Sequence, residues 1–383
     1  MKQDLKTNDA GSGARKGRPG KPMQFSIMFF ASDAARQQDD KYGLVMSCAE
    51  FADRAGFTAT WIPERHFHRF GGPFPNPAVL GAAIAAKTSS IRIRAGSVIL
   101  PLHDPIRVAE EWSMVDNLSR GRVDLAFGQG WNPNDFALAP DRFGDRLQSM
   151  YRDIEQVRAL WRGRTVARRN GVGAEVEIGA FPPPLQEDLN VWITCSGGHD
   201  RFIEAGAMGA NVLTALLFQD IEETAAKIRS YREARARHGF DPDTGHVTLM
   251  MHTFIGASAE RVRATVRAPM LKYLEDSVDL WRQQSRELEG ASEEERAKLL
   301  EFALLRYLRT HSLCGTPESH APLVEELARI GVDEIACLLD FGVAADQVLA
   351  SLPFLQRLRE LSAGRPADQV PAQRAVEARG GGK

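Results

Sequence analysis

Thr58-Ala59-Thr60-Trp61-Ile62-Pro63-Glu64-Arg65-His66-Phe67-His68 sets the reading of the fold. A run of strand-type residues gives way at once to proline, then to a carboxylate, a guanidinium and two imidazoles. β-Branched and aromatic side chains suit a pleated strand, and proline ends one. Titratable groups packed directly against a strand terminus are the pattern expected where strand ends carry chemistry.

The same organisation repeats on both sides of this stretch. Upstream, Gln24 to Phe30 reads as a strand. A helix follows with apolar positions Leu44, Val45, Cys48, Ala49, Ala52 and Ala55, closed by Gly56. Downstream, strands are expected at Ile91 to Leu100 and Val123 to Phe127, with Asp104-Pro105 opening a helix between them. These four strands begin about 33 residues apart, the spacing of successive β-α units. A helix near Leu147 to Trp161 precedes a hairpin over Val166 to Ile178, turning at Asn170-Gly171. Further strands are expected at Val191 to Cys195, Asn211 to Thr214, His246 to Ile255 and Glu334 to Asp340. Eight strands with intervening helices predict an α/β fold of the (β/α)8 TIM-barrel type; a doubly wound open sheet shares the periodicity. Residues 257–312 read as a charged, mostly helical insertion before the last strand, either a lid or a fixed peripheral pair of helices.

Composition narrows the function. The 383 residues carry 48 basic and 50 acidic side chains, a net charge of −2, which argues against nucleic acid or an anionic membrane as partner. An apolar content of 43% is enough for a large core, and no apolar run approaches a membrane span. Residues 1–22 and 364–383 are rich in Gly, Pro and charge and are expected to be disordered tails around a single domain over 23–363. Cys48, Cys195, Cys314 and Cys337 lie far apart, which fits a reducing cytoplasm better than a zinc ribbon or disulfide scaffold.

Polar and Gly-rich segments collect after successive strands: Gly96-Ser97, then Gly128-Gln129-Gly130-Trp131-Asn132, then Cys195-Ser196-Gly197-Gly198-His199. Ser196-Gly197-Gly198 precedes the helical run Phe202 to Met208, so small residues and a helix N-terminus would meet an anion such as phosphate. An ordinary Gly-rich turn is the alternative. His66 is the acid/base candidate, because imidazole titrates near neutrality; a hydrogen-bonded strand-end residue is the alternative, more so for His68. Glu64, His66 and His68, completed by His199 and Asp340, also permit a metal-dependent hydrolase.

The stretch from Trp61 to Phe136 resembles the bacterial luciferase-like, flavin-dependent monooxygenases. Glu64-x-His66-Phe67, Asn76-Pro77, Leu100-Pro101, Pro105, Ala109-Glu110, Asp116 and Ser119-x-Gly121-Arg122 occur in the family's order, and the likeness continues through Gly315-Thr316-Pro317. The wording around Gly130 to Phe136 and Gly331 to Cys337 is similar to the natural-product biosynthesis branch. The resemblance implies a TIM barrel, a homodimer, and reduced FMN delivered by a separate flavin reductase. It implies dioxygen chemistry through a flavin 4a-hydroperoxide on a small or carrier-bound substrate. It places flavin contacts at Gly96, Ser97, Gln129, Gly130, Trp131, Asn132, Ser196, Gly197, Gly198 and His199, and a cis peptide at Gly96-Ser97. Two positions depart from luciferase: Arg65 replaces the first histidine of its Glu-His-His-Phe, and Gln129 replaces a phosphate-binding arginine. A deazaflavin dehydrogenase and a noncatalytic flavin-binding subunit are further readings that the resemblance admits.

Overall fold

Eight parallel strands close on one another. In the computed structural model the described residues are 22–30, 40–68, 71–195, 197–216, 219–282, 304, 307, 308 and 310–364. β1 (Gln24–Met28), β2 (Ala59–Ile62), β3 (Arg92–Ile99), β4 (Val123–Gly128), β7 (Val191–Cys195), β8 (Asn211–Ala215), β9 (Val247–Ile255) and β11 (Glu334–Leu338) pair in that order. β11 returns to β1, with Gln24 opposite Glu334 and Met28 opposite Leu338, so the sheet has no free edge within the ring. Closure is the fact that periodicity could not supply.

Helices α1 (Gly43–Arg54), α2 (Pro77–Lys87), α3 (Pro105–Ser119), α4 (Arg146–Trp161), α5 (His199–Ala207), α6 (Ile221–Arg237), α8 (Pro317–Ile330) and α9 (Ala345–Ser362) join the strands, and α7 (Ala259–Arg282) opens the insertion after β9. Residues 283–303 of that insertion, much of the segment read as a lid, lie outside the described residues, as do residues 1–21 and 365–383 of the tails. No described helix is long and apolar enough to cross a membrane. β10 (Ser312–Gly315) is a ninth strand that the sequence reading missed; it pairs with the C-terminal half of β9, His252 to Ile255. Four residues following a helical turn offer too short a pattern to recognise.

β1 and β11 are each two residues shorter than expected. The hairpin β5 (Val166–Arg169) and β6 (Glu175–Ile178) forms, but its turn spans five residues. Asn170 Oδ1 accepts the Val172 and Ala174 amides, and Gly173 rather than Gly171 has the left-handed φ of 82°.

The N-terminal end of the barrel is plugged by buried charge. Glu334 accepts from Arg94 Nη1 at 2.7 and 3.0 Å, Ser26 Oγ at 2.5 Å, Trp61 Nε1 at 3.1 Å and the His246 ring at 3.1 Å. Arg94 Nε also donates to Asp124 at 2.8 Å, and its guanidinium lies against both the Trp61 and Trp192 rings, at 4.9 and 4.5 Å. Burial alone would raise the Glu334 pKa, but the Arg94 charge and the His246 and Ser26 hydrogen bonds reverse this and hold it well below the carboxylate range.

Most residues of the family wording build joints. Asn76 caps α2 by accepting the Ala78 and Val79 amides at 2.9 and 3.1 Å, with Pro77 in the first helical position. Thr316 and Ser319 form a reciprocal cap on α8, again with proline following. Arg122 is buried and ties the end of α2 to the start of β3 through Ala85, Thr88 and Ile91 carbonyls. Asp116 accepts the Leu185 and Gln186 amides, locking the approach to β7.

Candidate active site

The strands are buried almost throughout, yet Ser97, Gly128, Thr194 and Ala215 near the C-terminal ends of β3, β4, β7 and β8 keep some exposure, as does Met250, the fourth of nine residues in β9 and the ladder partner of Ala215. They belong to β3, β4, β7, β8 and β9, neighbours around the ring, so they mark an accessible mouth. Ser97 and Thr194 share a hydroxyl hydrogen bond of 2.5 Å across it. The Gly96–Ser97 peptide is cis, as the resemblance implies. Gly96 has no room for a side chain, since a Cβ there would lie 2.9 Å from the Trp61 ring.

Glu64 organises the rim. Its Oε1 accepts from His66 Nε2 at 2.8 Å and His103 Nε2 at 2.6 Å, and its Oε2 accepts the Ile99 amide at 2.8 Å. Burial works to raise the Glu64 pKa; the His103 and His66 hydrogen bonds, the His103 charge and the Ile99 amide outweigh it, so the carboxyl sits below its ordinary value. Burial likewise works to lower His103, and the Glu64 hydrogen bond and charge carry it above its ordinary value. Because an anionic carboxylate only accepts, His66 donates from Nε2, and in its neutral form Nδ1 carries the lone pair. The His66 side chain is 10% exposed and that of His103 32%. Nothing in the sequence pointed to His103, which lies 39 positions from Glu64.

The loop after β4 forms the other wall. Arg65 Nη1 pairs with Asp135 at 2.6 Å, and the guanidinium lies 4.8 Å over the Trp131 ring. Asn132 Nδ2 donates to the second oxygen of Asp135 at 2.9 Å, while its Oδ1 accepts the Asn134 amide. The Asn132 side chain is thus engaged within its own loop. Gly130 has a left-handed φ of 73°, and a Cβ there would lie 2.8 Å from Ile99 and Phe136. Gln129 is partly exposed beside it. Phe136 packs edge-on against Phe143 at 5.0 Å and joins Ile99 and Leu102 in a small apolar cluster, whereas Phe29 belongs to the main core. A groove of about 630 Å³ opens between this loop and the loop after β2, lined by Phe67, Pro133, Asn134, Phe136, Ala137, Pro140 and Phe143.

Ser196 lies outside the described residues. Gly197 and Gly198 lead into α5, whose first amides have no side-chain cap, and a Cβ at Gly197 would meet nothing within 4 Å. Backbone can approach a ligand there. The His199 ring instead bonds Ser230 Oγ of α6 at 2.7 Å. The residues of the hydrolase reading are dispersed: Asp340 accepts the Phe30 amide, His68 is exposed, and no group of three or more His, Cys, Asp or Glu among the described residues is placed to hold a metal ion.

The sequence profile of the luciferase-like monooxygenases matches residues 23–334. The chain belongs to that family. Over 346 residues it is 26% identical to the oxygenase component of a flavin-dependent trigonelline monooxygenase of Acinetobacter baylyi, covering 86% of this chain and 92% of the relative. In fold it is similar to the monooxygenase RslO1 of Streptomyces bottropensis, with a TM-score of 0.72, 20% identity, and 87% and 98% of the two chains covered. It is also similar to the oxygenating constituent of 3,6-diketocamphane monooxygenase from the Pseudomonas putida CAM plasmid, solved with FMN, with a TM-score of 0.70, 16% identity, and coverage of 89% and 96%. In this luciferase-like barrel, the family wording accounts for Glu64 and His66 at the rim but not for Arg65.

Proposed function

We propose that the protein is the oxygenase of a two-component system, taking reduced FMN from a separate flavin reductase and using dioxygen to oxygenate a small or carrier-bound natural-product intermediate. The accessible mouth at Ser97, Gly128, Thr194, Ala215 and Met250, set beneath Glu64–His66 in a luciferase-like barrel, carries this reading. The donors there fit FMN. The uncapped start of α5 with the open Gly197 backbone suits a phosphate, and Ser97, Thr194 and Met250 offer two hydroxyls and a polarisable thioether to the ring system. Reduced flavin supplies the two electrons that activate dioxygen. The chain supplies position and protons: Glu64 orients His66, whose Nδ1 takes or returns a proton at the substrate, and Trp131 and Phe136 keep bulk water from the rim. Four free, buried thiols suit the cytoplasm.

Titration with FMN and with a deazaflavin, followed by reaction of the reduced FMN complex with ¹⁸O₂ and pathway intermediates, tests this. One labelled oxygen atom in the product is expected. Hydride transfer to the deazaflavin without dioxygen uptake would replace the reading with a dehydrogenase.

A homodimer is part of the same proposal. α2 and α3 pack together and leave Val79, Met114 and Leu118 exposed at 69, 55 and 57%, an apolar outer face. Sedimentation should give two chains. Met114→Glu with Leu118→Glu should weaken association about tenfold or more, since each buries a charge against apolar surface. Unchanged association would move the interface elsewhere.

A further inference from the structure

Arg65 is 2% exposed and its partner Asp135 1%. Nη1 is taken by Asp135, but Nε and Nη2 are buried and have no hydrogen-bond partner among the described residues. These two nitrogens form one edge of the guanidinium. Their hydrogens point the same way and match the two oxygens of a carboxylate. A guanidinium keeps its proton in any protein setting, so the edge cannot become silent by deprotonation.

We propose that the Nε/Nη2 edge of Arg65 is an oxyanion fork that binds a carboxylate of the substrate. The inference rests on the monooxygenase reading and narrows its substrate to an organic acid. Asp135 and the Trp131 ring hold the guanidinium from one end and one face, leaving the fork preorganised. Arg65 does not itself line the groove of about 630 Å³, but its near neighbour Phe67 does, as do Asn134 and Phe136, which flank Asp135. Aromatic and proline side chains suit the apolar body of an aryl or alicyclic acid whose charged end reaches Arg65. The FMN phosphate is the other source of an oxyanion, and α5, where that phosphate is proposed, follows β7 rather than β2.

The test uses the full chain and two readouts. Apo-protein is titrated with FMN and with riboflavin, and hydrogen peroxide released per reduced FMN is measured with benzoate, phenylacetate and cyclohexanecarboxylate, each beside its primary amide. Acids should lower peroxide release at concentrations about 10²-fold below their amides, because an amide's single accepting oxygen leaves one buried donor of the fork unpaired. Arg65→Lys, which keeps the charge and loses the fork, should abolish that preference. Arg65→Gln with Asp135→Asn, which removes both charges and so guards against misfolding, should do the same. In both variants the preference for FMN over riboflavin should persist. Equal action of acids and amides, no action by any acid, or an acid preference retained in both variants overturns the proposal. Loss of the FMN preference in the variants overturns it too, by assigning the fork to phosphate. Failure of the unmodified protein to bind FMN would count against the monooxygenase reading instead.

Discussion

Replacing His66 by alanine is expected to lower turnover about 10²- to 10⁴-fold with FMN affinity unchanged, the range a positioned acid–base group contributes. Its Nε2 is committed to Glu64 at 2.8 Å, so Nδ1 is the atom available to a substrate. Alanine removes that atom and leaves Glu64 with its His103 and Ile99 bonds, so the rim should stay folded. Glu64→Gln should cost turnover as well, because a neutral amide orients both imidazoles less firmly and offers one accepting oxygen. Single-turnover product formation at saturating reduced FMN, beside flavin titration, separates the two effects. Equal product from His66→Ala would remove His66 from the chemistry, and a parallel loss of flavin affinity would make it a binding residue. The His103 charge adds a pH dependence to this end of the barrel. Its pKa is raised in the folded chain, so its stabilising pair with Glu64 is complete below about pH 6.5, the ordinary histidine value, and fades as pH rises through the folded value.

Glu334→Ala is expected to destabilise the barrel by about 3–5 kcal/mol, the cost of breaking a buried ion pair from one side. Ser26, Trp61, Arg94 and His246 all direct donors at this one carboxylate, and alanine would leave them facing a void. Arg94 would retain Asp124 at 2.8 Å, which caps the loss. Glu334→Gln keeps the volume and part of the hydrogen bonding and should cost less. The sign of the pH effect follows from the depressed pKa. The stabilisation is complete above about pH 4.3, where an unfolded glutamate ionises, and is lost as pH falls toward the lower folded value. Urea unfolding at pH 7 and at pH 4 measures both quantities. Equal stability of the wild-type and alanine proteins at pH 7 would mean that the network merely fills space.

Much of the molecule could be read from the chain. Apolar runs, the first four of them about 33 residues apart, placed all eight ring strands to within a few residues, because a buried parallel strand must be nearly continuous in apolar side chains. Asp104-Pro105 announced a helix start, since capping needs only neighbours in sequence. Of the family wording, Asn76 and Thr316 cap helices within three residues of themselves, whereas Asp116 and Arg122 bridge 69 and 31 positions.

The chemistry was less legible. His66 stood out by residue type, but its partner Glu64 also meets His103 only because β2 and β3 end side by side. Arg65 read as a departure from luciferase, while its pairing with Asp135 and its open edge depend on the loop after β4 folding over β3. The short strand β10 gave no periodic signal at all. The sequence by itself therefore determined the order of strands and helices, the capped joints between them and the family, each set by residues close along the chain. The closed ring, the Arg94–Glu334 plug, the Glu64 clamp and the unpaired edge of Arg65 were decided only in the tertiary structure. Each brings together side chains from different strands, and their energies come from burial and charge pairing that no local spacing records.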